Sequence, residues 1–180
     1  MLLINDLTRQ DETLSEKIMG AAQRVLSSGY FVLGCEVESF ERLFARYCGV
    51  EHCVSTGNGT DALELAMRAL GLPAHSGIAL VANAGFYSSI AALGAGLQPV
   101  YVDVDDDSLL MDLEALARVP AASIKVVVAT HLFGRMLDMD RLTKLCQQRG
   151  WFLIEDCAQS HGAKGADGRM AGSQSYSPNQ

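Results

Sequence analysis

Basic residues are scarce in this 180-residue sequence. Its 14 lysines and arginines face 21 aspartates and glutamates, which gives a formal net charge of −7 and a pI near 5.0. Because nucleic-acid binding needs clustered basic side chains that neutralise phosphates, this balance argues against a nucleic-acid partner. The first 14 residues also lack a long apolar run and carry acids early, which argues against a signal peptide and a membrane span.

Cysteine is present but lacks the spacing of a disulfide framework or a zinc site. The cysteines are odd in number and include no CxxC pair: Cys35, Cys48, Cys53, Cys146 and Cys157. This usage is typical of reduced thiols in a cytosolic protein. We therefore expect a cytoplasmic protein without disulfides, and we assign no metal ligand.

Hydrophobic periodicity divides the chain into two parts, with no internal repeat, low-complexity tract or interdomain linker. Within residues 1–50, apolar residues recur at helical spacing in ETLSEKIMGAAQRVLSSG and EVESFERLFARYCG, and Gly29 and Gly49 can end these helices as left-handed caps. Over residues 51–180, apolar runs rich in β-branched residues alternate with helical stretches. Strands are predicted at 51–55, 78–82, 99–104, 124–130 and 151–155, with helices starting near residues 60, 86, 112 and 138.

The β/α alternation predicts the fold class. Runs such as KVVVAT and WFLIED are almost continuously apolar, as parallel strands covered by helices on both faces are. We therefore predict a single α/β domain with a mainly parallel sheet flanked by helices, in which N-terminal helices over 1–50 precede a β/α core over 51–180. Ligands of such sheets collect at the carboxyl ends of the strands, so the loops there are the candidate site.

A glycine-containing turn precedes the helix that starts near Thr60, in STGNGTDALELAMRAL. Gly59 and Thr60 would place backbone N–H groups and a helix N-terminus where they can bind a phosphate. A tight turn capped by Asn58 or Thr60 explains the same residues without a ligand. The motif matches neither GxxxxGK[ST] nor GxGxxG, which disfavours a P-loop and a dinucleotide site.

Aromatic and polar residues follow two further strands. Phe86 and Tyr87, in NAGFYSS, stand where one ring can stack on a flat heteroaromatic ligand, or alternatively pack into the core. His131 follows KVVVAT and is expected to be hydrogen-bonded structure. Asp138 is expected to cap the next helix.

The strand WFLIED delivers two carboxylates to its carboxyl end. A carboxylate there is costly unless it is paired, so we expect Asp156 to have a cationic partner or several hydrogen-bond donors. Gln159 and His161 can supply hydrogen bonds at the same edge. Glu155 points to the opposite face and is expected to lie outside this site. A turn capped by Asp156 is the alternative without a ligand.

A phosphate cup, an aromatic ring and a strand-end aspartate together suit pyridoxal 5′-phosphate, PLP. The sequence resembles the DegT/DnrJ/EryC1/StrS family of sugar aminotransferases over nearly the whole chain, through GYFVLGCEVESFERLFARYCGVEHCVSTGNGTDAL, PVYVDVD, HLFGRMLDMD and IEDCAQSHGA. The resemblance implies the fold-type I aminotransferase architecture and PLP as cofactor. It implies that Gly59 and Thr60 hold the phosphate and that Phe86 stacks on the ring. It further implies that Asp156 pairs with the ring nitrogen and that Gln159 contacts the ring's phenolic oxygen.

The resemblance also implies a function, which is amino transfer from glutamate to a keto group of a nucleotide-linked deoxysugar, carried out by a homodimer. In the family, a Schiff-base lysine follows the strand-end aspartate. None of the four lysines matches that position: Lys17, Lys125, Lys144 and Lys164. We therefore expect the N-terminal part of such an enzyme, truncated before its C-terminal domain and unable to transaminate alone, and we assign no catalytic residue.

Three alternatives remain open from the sequence. The parent enzyme could be a sugar dehydratase of the same family, which uses PLP with histidine in place of the lysine. The chain could instead be a non-catalytic fragment or binding module that pairs with an intact protomer. A third alternative is an unrelated doubly wound domain that binds a phosphorylated metabolite, which explains Gly59 and Thr60 but leaves Phe86, Asp156 and Gln159 to coincidence.

Overall fold

The computed structural model describes residues 12–173 and residue 178. Its contacts divide the chain into two compact units, one made of residues 1–47 with 51–54 and the other of 48–50 with 55–180. Each unit is described separately below. Within the described residues, no helix is both long enough and apolar enough to cross a membrane.

The first unit contains two helices. Helix α1 spans Glu12–Ser28 and helix α2 spans Cys35–Cys48, whose last residue belongs to the second unit. Gly29 and Gly49 follow these helices with φ of 66° and 74°, so both predicted left-handed caps are confirmed. The rings of Phe40 and Phe44, four residues apart on α2, stack with their centroids 5.3 Å apart.

The second unit is built on a four-stranded parallel sheet in the order β2-β1-β3-β4. The strands are β1 (Gly77–Val81), β2 (Gln98–Val102), β3 (Val126–Thr130) and β4 (Phe152–Asp156). The helices of this unit are α3 (Gly59–Ala69), α4 (Tyr87–Gly94), α5 (Leu113–Arg118) and α6 (Met139–Arg149), with a 3₁₀ turn at Ala121–Ser123. The predicted parallel α/β fold is therefore confirmed.

Both faces of the sheet are covered, which explains the continuous apolar runs. Ile78 and Leu80 of β1 pack on one face with residues of α3 and α4, such as Met67. The alternate residues Ala79 and Val81 pack on the other face with residues of α5 and α6. All five residues of β3 are buried, as expected for a central parallel strand.

The strand predicted at residues 51–55 is wrong. These residues adopt no regular secondary structure, and Val54 is 80% exposed. A strand is stable only beside another strand that takes up its backbone hydrogen bonds, and within the described residues this segment has no such neighbour. The other four predicted strands form, with boundaries shifted by one or two residues.

Candidate functional site

The turn before α3 leaves two backbone donors available. Asn58 caps this helix, because its side-chain oxygen accepts from the Asp61 N–H at 2.9 Å and its carbonyl accepts from the Ala62 N–H at 3.0 Å. Within the described residues, the N–H groups of Gly59 and Thr60 have no acceptor. These are the unsatisfied donors of a helix N-terminus, and they suit an anion.

Helix α3 begins at the same edge of the sheet as α4. Because α4 connects two parallel strands, it starts at the carboxyl end of β1 and runs back towards the start of β2. The last residue of α4, Gly94, lies against the second half of α3, where its carbonyl accepts from the Arg68 guanidinium and its Cα faces the Glu64 carboxylate. Because residues 70–76 also join the end of α3 to the start of β1, this contact favours a common direction for the two helices, with Gly59 and Thr60 towards the carboxyl edge.

Phe86 and Tyr87 stand at the start of α4 on this edge. Their exposed fractions are 66% and 67%, so neither ring belongs to the core. The two rings differ in their surroundings, because the Tyr87 ring lies against Gly85, where an added Cβ would come within 2.7 Å of it. Phe86 is the N-cap residue of α4 and makes no side-chain cap hydrogen bond. Its ring is available for a ligand.

Asp156 is the last residue of β4, directly beside Thr130 at the end of β3. Its Oδ1 accepts from the Ala158 N–H at 3.2 Å, which closes a short turn. The expected cationic partner or set of several donors is not found: within the described residues no basic side chain forms an ion pair with Asp156, and its carboxylate accepts from one N–H. Because Asp156 is only partly buried, water can solvate its carboxylate and a partner is not obligatory.

Cys157, a partly buried thiol, follows the carboxylates of Glu155 and Asp156. Burial, together with the carboxylates of Glu155 and Asp156, raises the pKa of the Cys157 thiol to about 12. A negative potential of this kind favours a ligand that brings a protonated nitrogen to Asp156.

Gln159 joins the ends of β3 and β4. Its backbone carbonyl accepts from the Gly134 N–H at 3.0 Å, and its side-chain oxygen faces the Phe133 N–H at 3.5 Å. The Gln159 side chain is exposed, so its amide can also reach a ligand. Asp156 and Gln159 therefore belong to one loop system at the carboxyl edge.

His131 and Asp138 have the structural roles expected from the sequence. His131 is fully buried and hydrogen-bonded on both ring nitrogens. Asp138 caps α6 by accepting from the Arg141 N–H at 3.0 Å. The partner of His131 is Glu155, which lies 24 residues further along the chain and was not expected at this site. The distance between His131 Nε2 and Glu155 Oε2 is 3.0 Å. Adjacency of the β3 and β4 ends brings this pair together, and only the strand order reveals it.

The residues at the carboxyl edge fit a flat, phosphorylated heteroaromatic ligand such as PLP. Two free amides suit the phosphate, an exposed ring suits the heterocycle, and the Asp156 carboxylate keeps one oxygen, Oδ2, without a hydrogen bond inside the described part of the chain. The space around Gly59 is open, because a Cβ at this position would meet no atom within 4 Å, so a ligand can approach its N–H.

Each of the four lysines belongs to a different part of the chain. Lys17 is on α1, Lys144 is on α6, and Lys125 directly precedes β3 at the opposite, amino edge of the sheet. Lys164 forms an isolated β-bridge with Met170 in the glycine-rich loop after β4. Lys144 and Lys164 line a groove of about 800 Å³ beside α6, to which Asp156 does not contribute.

Comparison with curated proteins identifies amino sugar enzymes as relatives. A dTDP-3-amino-3,4,6-trideoxy-alpha-D-glucose transaminase from Micromonospora megalomicea subsp. nigra is 41% identical over 158 residues, covering 88% of this chain and 42% of the relative. A dTDP-3-amino-3,6-dideoxy-alpha-D-galactopyranose transaminase from Aneurinibacillus thermoaerophilus is 34% identical over 163 residues, covering 91% and 45%. The chain thus spans less than half the length of these relatives.

Comparison with solved structures gives the fold type and the cofactor of the neighbours. S. venezuelae DesV superposes with a TM-score of 0.88 at 34% identity, over 94% of this chain and 45% of that one. An E. coli GDP-4-keto-6-deoxy-D-mannose-3-dehydratase with bound hydrated PLP superposes with a TM-score of 0.74 at 26% identity, over 88% and 40%. The architecture is that of fold-type I PLP enzymes. Residues 12–177 match the DegT/DnrJ/EryC1/StrS aminotransferase family, to which this chain belongs.

Proposed function

We propose that this chain forms the cofactor-holding part of a PLP-dependent aminotransferase that acts on a nucleotide-linked keto-deoxysugar in amino sugar biosynthesis. The observations that support the proposal are two free amides at the start of α3, an exposed aromatic ring at the start of α4 and a carboxylate at the end of β4. The family membership and the transaminase relatives support the reaction class.

Each residue at the edge has a distinct part in holding PLP. The N–H groups of Gly59 and Thr60 bind the phosphate, and the Phe86 ring covers one face of the heterocycle. Asp156 accepts a hydrogen bond from the ring nitrogen and keeps a proton on it, while the Gln159 amide binds the phenolic oxygen. PLP supplies an electron sink for the reacting substrate, and the proton held by Asp156 strengthens that sink.

We further propose that these 180 residues hold PLP without a covalent bond and do not transaminate alone. None of the four lysines lies at the position that the family uses for covalent attachment, so no side-chain amine is available to exchange with an amino donor. If the parent protein carries histidine at that position, the dehydratase neighbour makes dehydration the second candidate reaction.

The proposal extends to the donor, the assembly and the location. Glutamate is the proposed amino donor. A homodimer is supported by exposed apolar side chains in the first unit, including Phe31, Val32 and Leu43 at 65%, 73% and 56% exposure. A cytoplasmic location is supported by the odd number of cysteines and their lack of CxxC spacing.

Absorbance titration of the purified chain with PLP tests the proposed cofactor site. The Asp156→Asn variant removes the negative charge, and Asp106→Asn, at an exposed turn, is the matched control. Loss of a hydrogen bond between charged groups corresponds to about 1.5–3 kcal/mol, or a roughly 10- to 150-fold weaker affinity. We expect this loss only in Asp156→Asn.

Borohydride reduction followed by peptide mapping completes the experiment. We expect no reduced lysine adduct, because the bound cofactor has no covalent partner in this chain. Equal PLP affinity in the Asp156→Asn and Asp106→Asn variants would show that the carboxyl edge does not hold the cofactor as proposed.

A further inference from the structure

Glu155 occupies an unusual environment for a carboxylate that has no assigned role. Its side chain is only 3% exposed, and it precedes Asp156 on β4, pointing to the opposite face of the sheet. One oxygen, Oε2, accepts from His131 Nε2 at 3.0 Å and from the Gly172 N–H at 3.1 Å. Two donors on a buried carboxylate oxygen indicate a specific structural purpose, because an unsatisfied buried carboxylate is costly.

The hydrogen bonds of His131 fix its tautomer. The Leu137 N–H donates to Nδ1 at 3.3 Å, so Nδ1 carries a lone pair and the ring proton lies on Nε2, pointing at Glu155. The imidazole therefore links the loop after β3 to the end of β4.

This tautomer disfavours a metal site at the same place. His131, Glu155 and Cys157 offer ligand atoms within 4.8 Å of one another. A metal on Nε2 would require the proton to move to Nδ1, which would then face the Leu137 N–H as a second donor. The cluster is therefore a hydrogen-bond network.

The network also holds the loop that follows β4. Gly172 lies near the end of residues 160–173, the glycine-rich stretch that follows β4. Its φ of 84° is a backbone conformation that favours glycine, and the direction of its N–H depends on that conformation. At the beginning of the same stretch, the buried Ser160 donates to the His131 carbonyl at 3.3 Å. Glu155 and His131 thus tie both ends of this stretch to the sheet.

Gln159 depends on this arrangement. Its backbone and side-chain oxygens face the N–H groups of Gly134 and Phe133, in a turn directly after the His131 segment. Phe133 has a φ of 58°, a conformation that costs energy for a residue other than glycine, so the surrounding contacts must hold the turn in place.

We propose that Glu155 is a positioning residue for the candidate cofactor site. Its carboxylate anchors His131 and Gly172 to β4, and this anchoring sets the positions of Asp156 and Gln159 at the carboxyl edge. The inference rests on the proposed PLP-binding function, but the anchoring can be measured without PLP.

Two variants separate the hydrogen bonds from the charge. Glu155→Gln keeps a carbonyl oxygen that can accept from both donors, whereas Glu155→Ala leaves the His131 Nε2–H and the Gly172 N–H without an acceptor. Hydrogen exchange of the 157–173 segment, PLP affinity and urea unfolding are measured for each. If Glu155→Ala shows no cooperative urea transition, Glu155→Leu, which keeps most of the side-chain volume, replaces it.

The expected result is a split between the variants. Glu155→Ala should speed exchange at Gly172, whose N–H loses its acceptor. It should also weaken PLP binding by about tenfold, the change that about 1.4 kcal/mol of lost contact through displaced Asp156 and Gln159 produces. In Glu155→Gln, the exchange rate at Gly172 and the PLP affinity should both stay within about threefold of those of the unchanged chain. A larger change would indicate that the negative charge of Glu155 is needed.

The outcomes distinguish this proposal from the proposed function. Faster exchange at Gly172 with unchanged PLP affinity would overturn the positioning role and leave the PLP site intact. Unchanged exchange at Gly172 would overturn the anchoring itself. If the unchanged chain binds no PLP, both the positioning role and the proposed cofactor site are wrong.

Discussion

Replacing Gly59 by proline tests one of the two N–H groups, those of Gly59 and Thr60, that are proposed to bind the phosphate. Gly59 is the first residue of α3, where proline is tolerated because its missing N–H has no partner within the helix. The preceding residue, Asn58, is already extended, with φ −165° and ψ 173°, which is the region that a following proline favours. The substitution therefore removes one phosphate donor and breaks no hydrogen bond recorded within the described residues.

The expected magnitude follows from the hydrogen bond that is lost. A hydrogen bond to a charged group is worth about 1.5–3 kcal/mol, so Gly59→Pro should weaken PLP binding by roughly 10- to 150-fold. Folding should be unharmed, because proline at a compatible position lowers the entropy of the unfolded chain and adds about 0.4–1 kcal/mol of stability.

The assay compares two ligands and two variants. PLP and pyridoxal, which lacks the phosphate, are titrated by absorbance against Gly59→Pro and against Gly59→Ala, which keeps the N–H in open space. We expect a large loss of affinity only for PLP binding to Gly59→Pro. Equal losses for PLP and pyridoxal, or no loss for either, would refute the placement of the phosphate at this helix.

Three further predictions concern the body of the fold. Trp151 is fully buried and its Nε1–H donates to the Ala121 carbonyl, so Trp151→Ala should destabilise the chain by about 3–5 kcal/mol in urea unfolding followed by circular dichroism, and a loss below about 1 kcal/mol would contradict this packing. Burial raises the pKa of Cys146 and Cys157 to about 12, so at pH 8 only about one thiol in ten thousand is a thiolate. Iodoacetamide should therefore label exposed Cys35 first, and mass spectrometry that found Cys146 labelled equally fast would contradict its burial. Hydrogen bonds from the Ser108 side chain and N–H lower the pKa of Asp105, so its stabilising contribution is present above the ordinary aspartate range and is lost as pH falls through the lowered value. The acid branch of the stability curve should then flatten in Asp105→Asn, and an unchanged branch would contradict this reasoning.

The sequence predicted the fold well where hydrophobic patterns are long and locally determined. The β3 and β4 runs, the cap at Asp138 and the glycine stops at Gly29 and Gly49 depend on neighbouring residues, and the structure confirms all of them. Of the two caps left open for α3, Asn58 and Thr60, the structure has Asn58. The segment 51–55 failed because a strand requires a partner, and its short, weakly apolar pattern carries no information about one.

The residue types of the candidate site could be predicted from the sequence, but the pairing of its side chains could not. The residue types at Gly59, Phe86 and Asp156, with the family resemblance that adds Gln159, predicted a PLP site. The structure has Phe86 at the start of α4, Asp156 at the end of β4 and Gln159 in the loop after it. Two features were not predictable. Pairing of His131 with Glu155 depends on strand order. That no basic side chain among residues 12–173 pairs with Asp156 depends on how far water reaches the strand end.

The central claim is that Asp156 holds a proton on the ring nitrogen of PLP at this edge. The most direct measurement is ¹⁵N NMR of PLP labelled at the ring nitrogen and bound to the chain, followed as a function of pH. We expect the ring nitrogen to stay protonated to higher pH than in free PLP, and we expect Asp156→Ala to abolish this difference. A ring nitrogen that titrates as in free PLP when bound to the unchanged chain would contradict it.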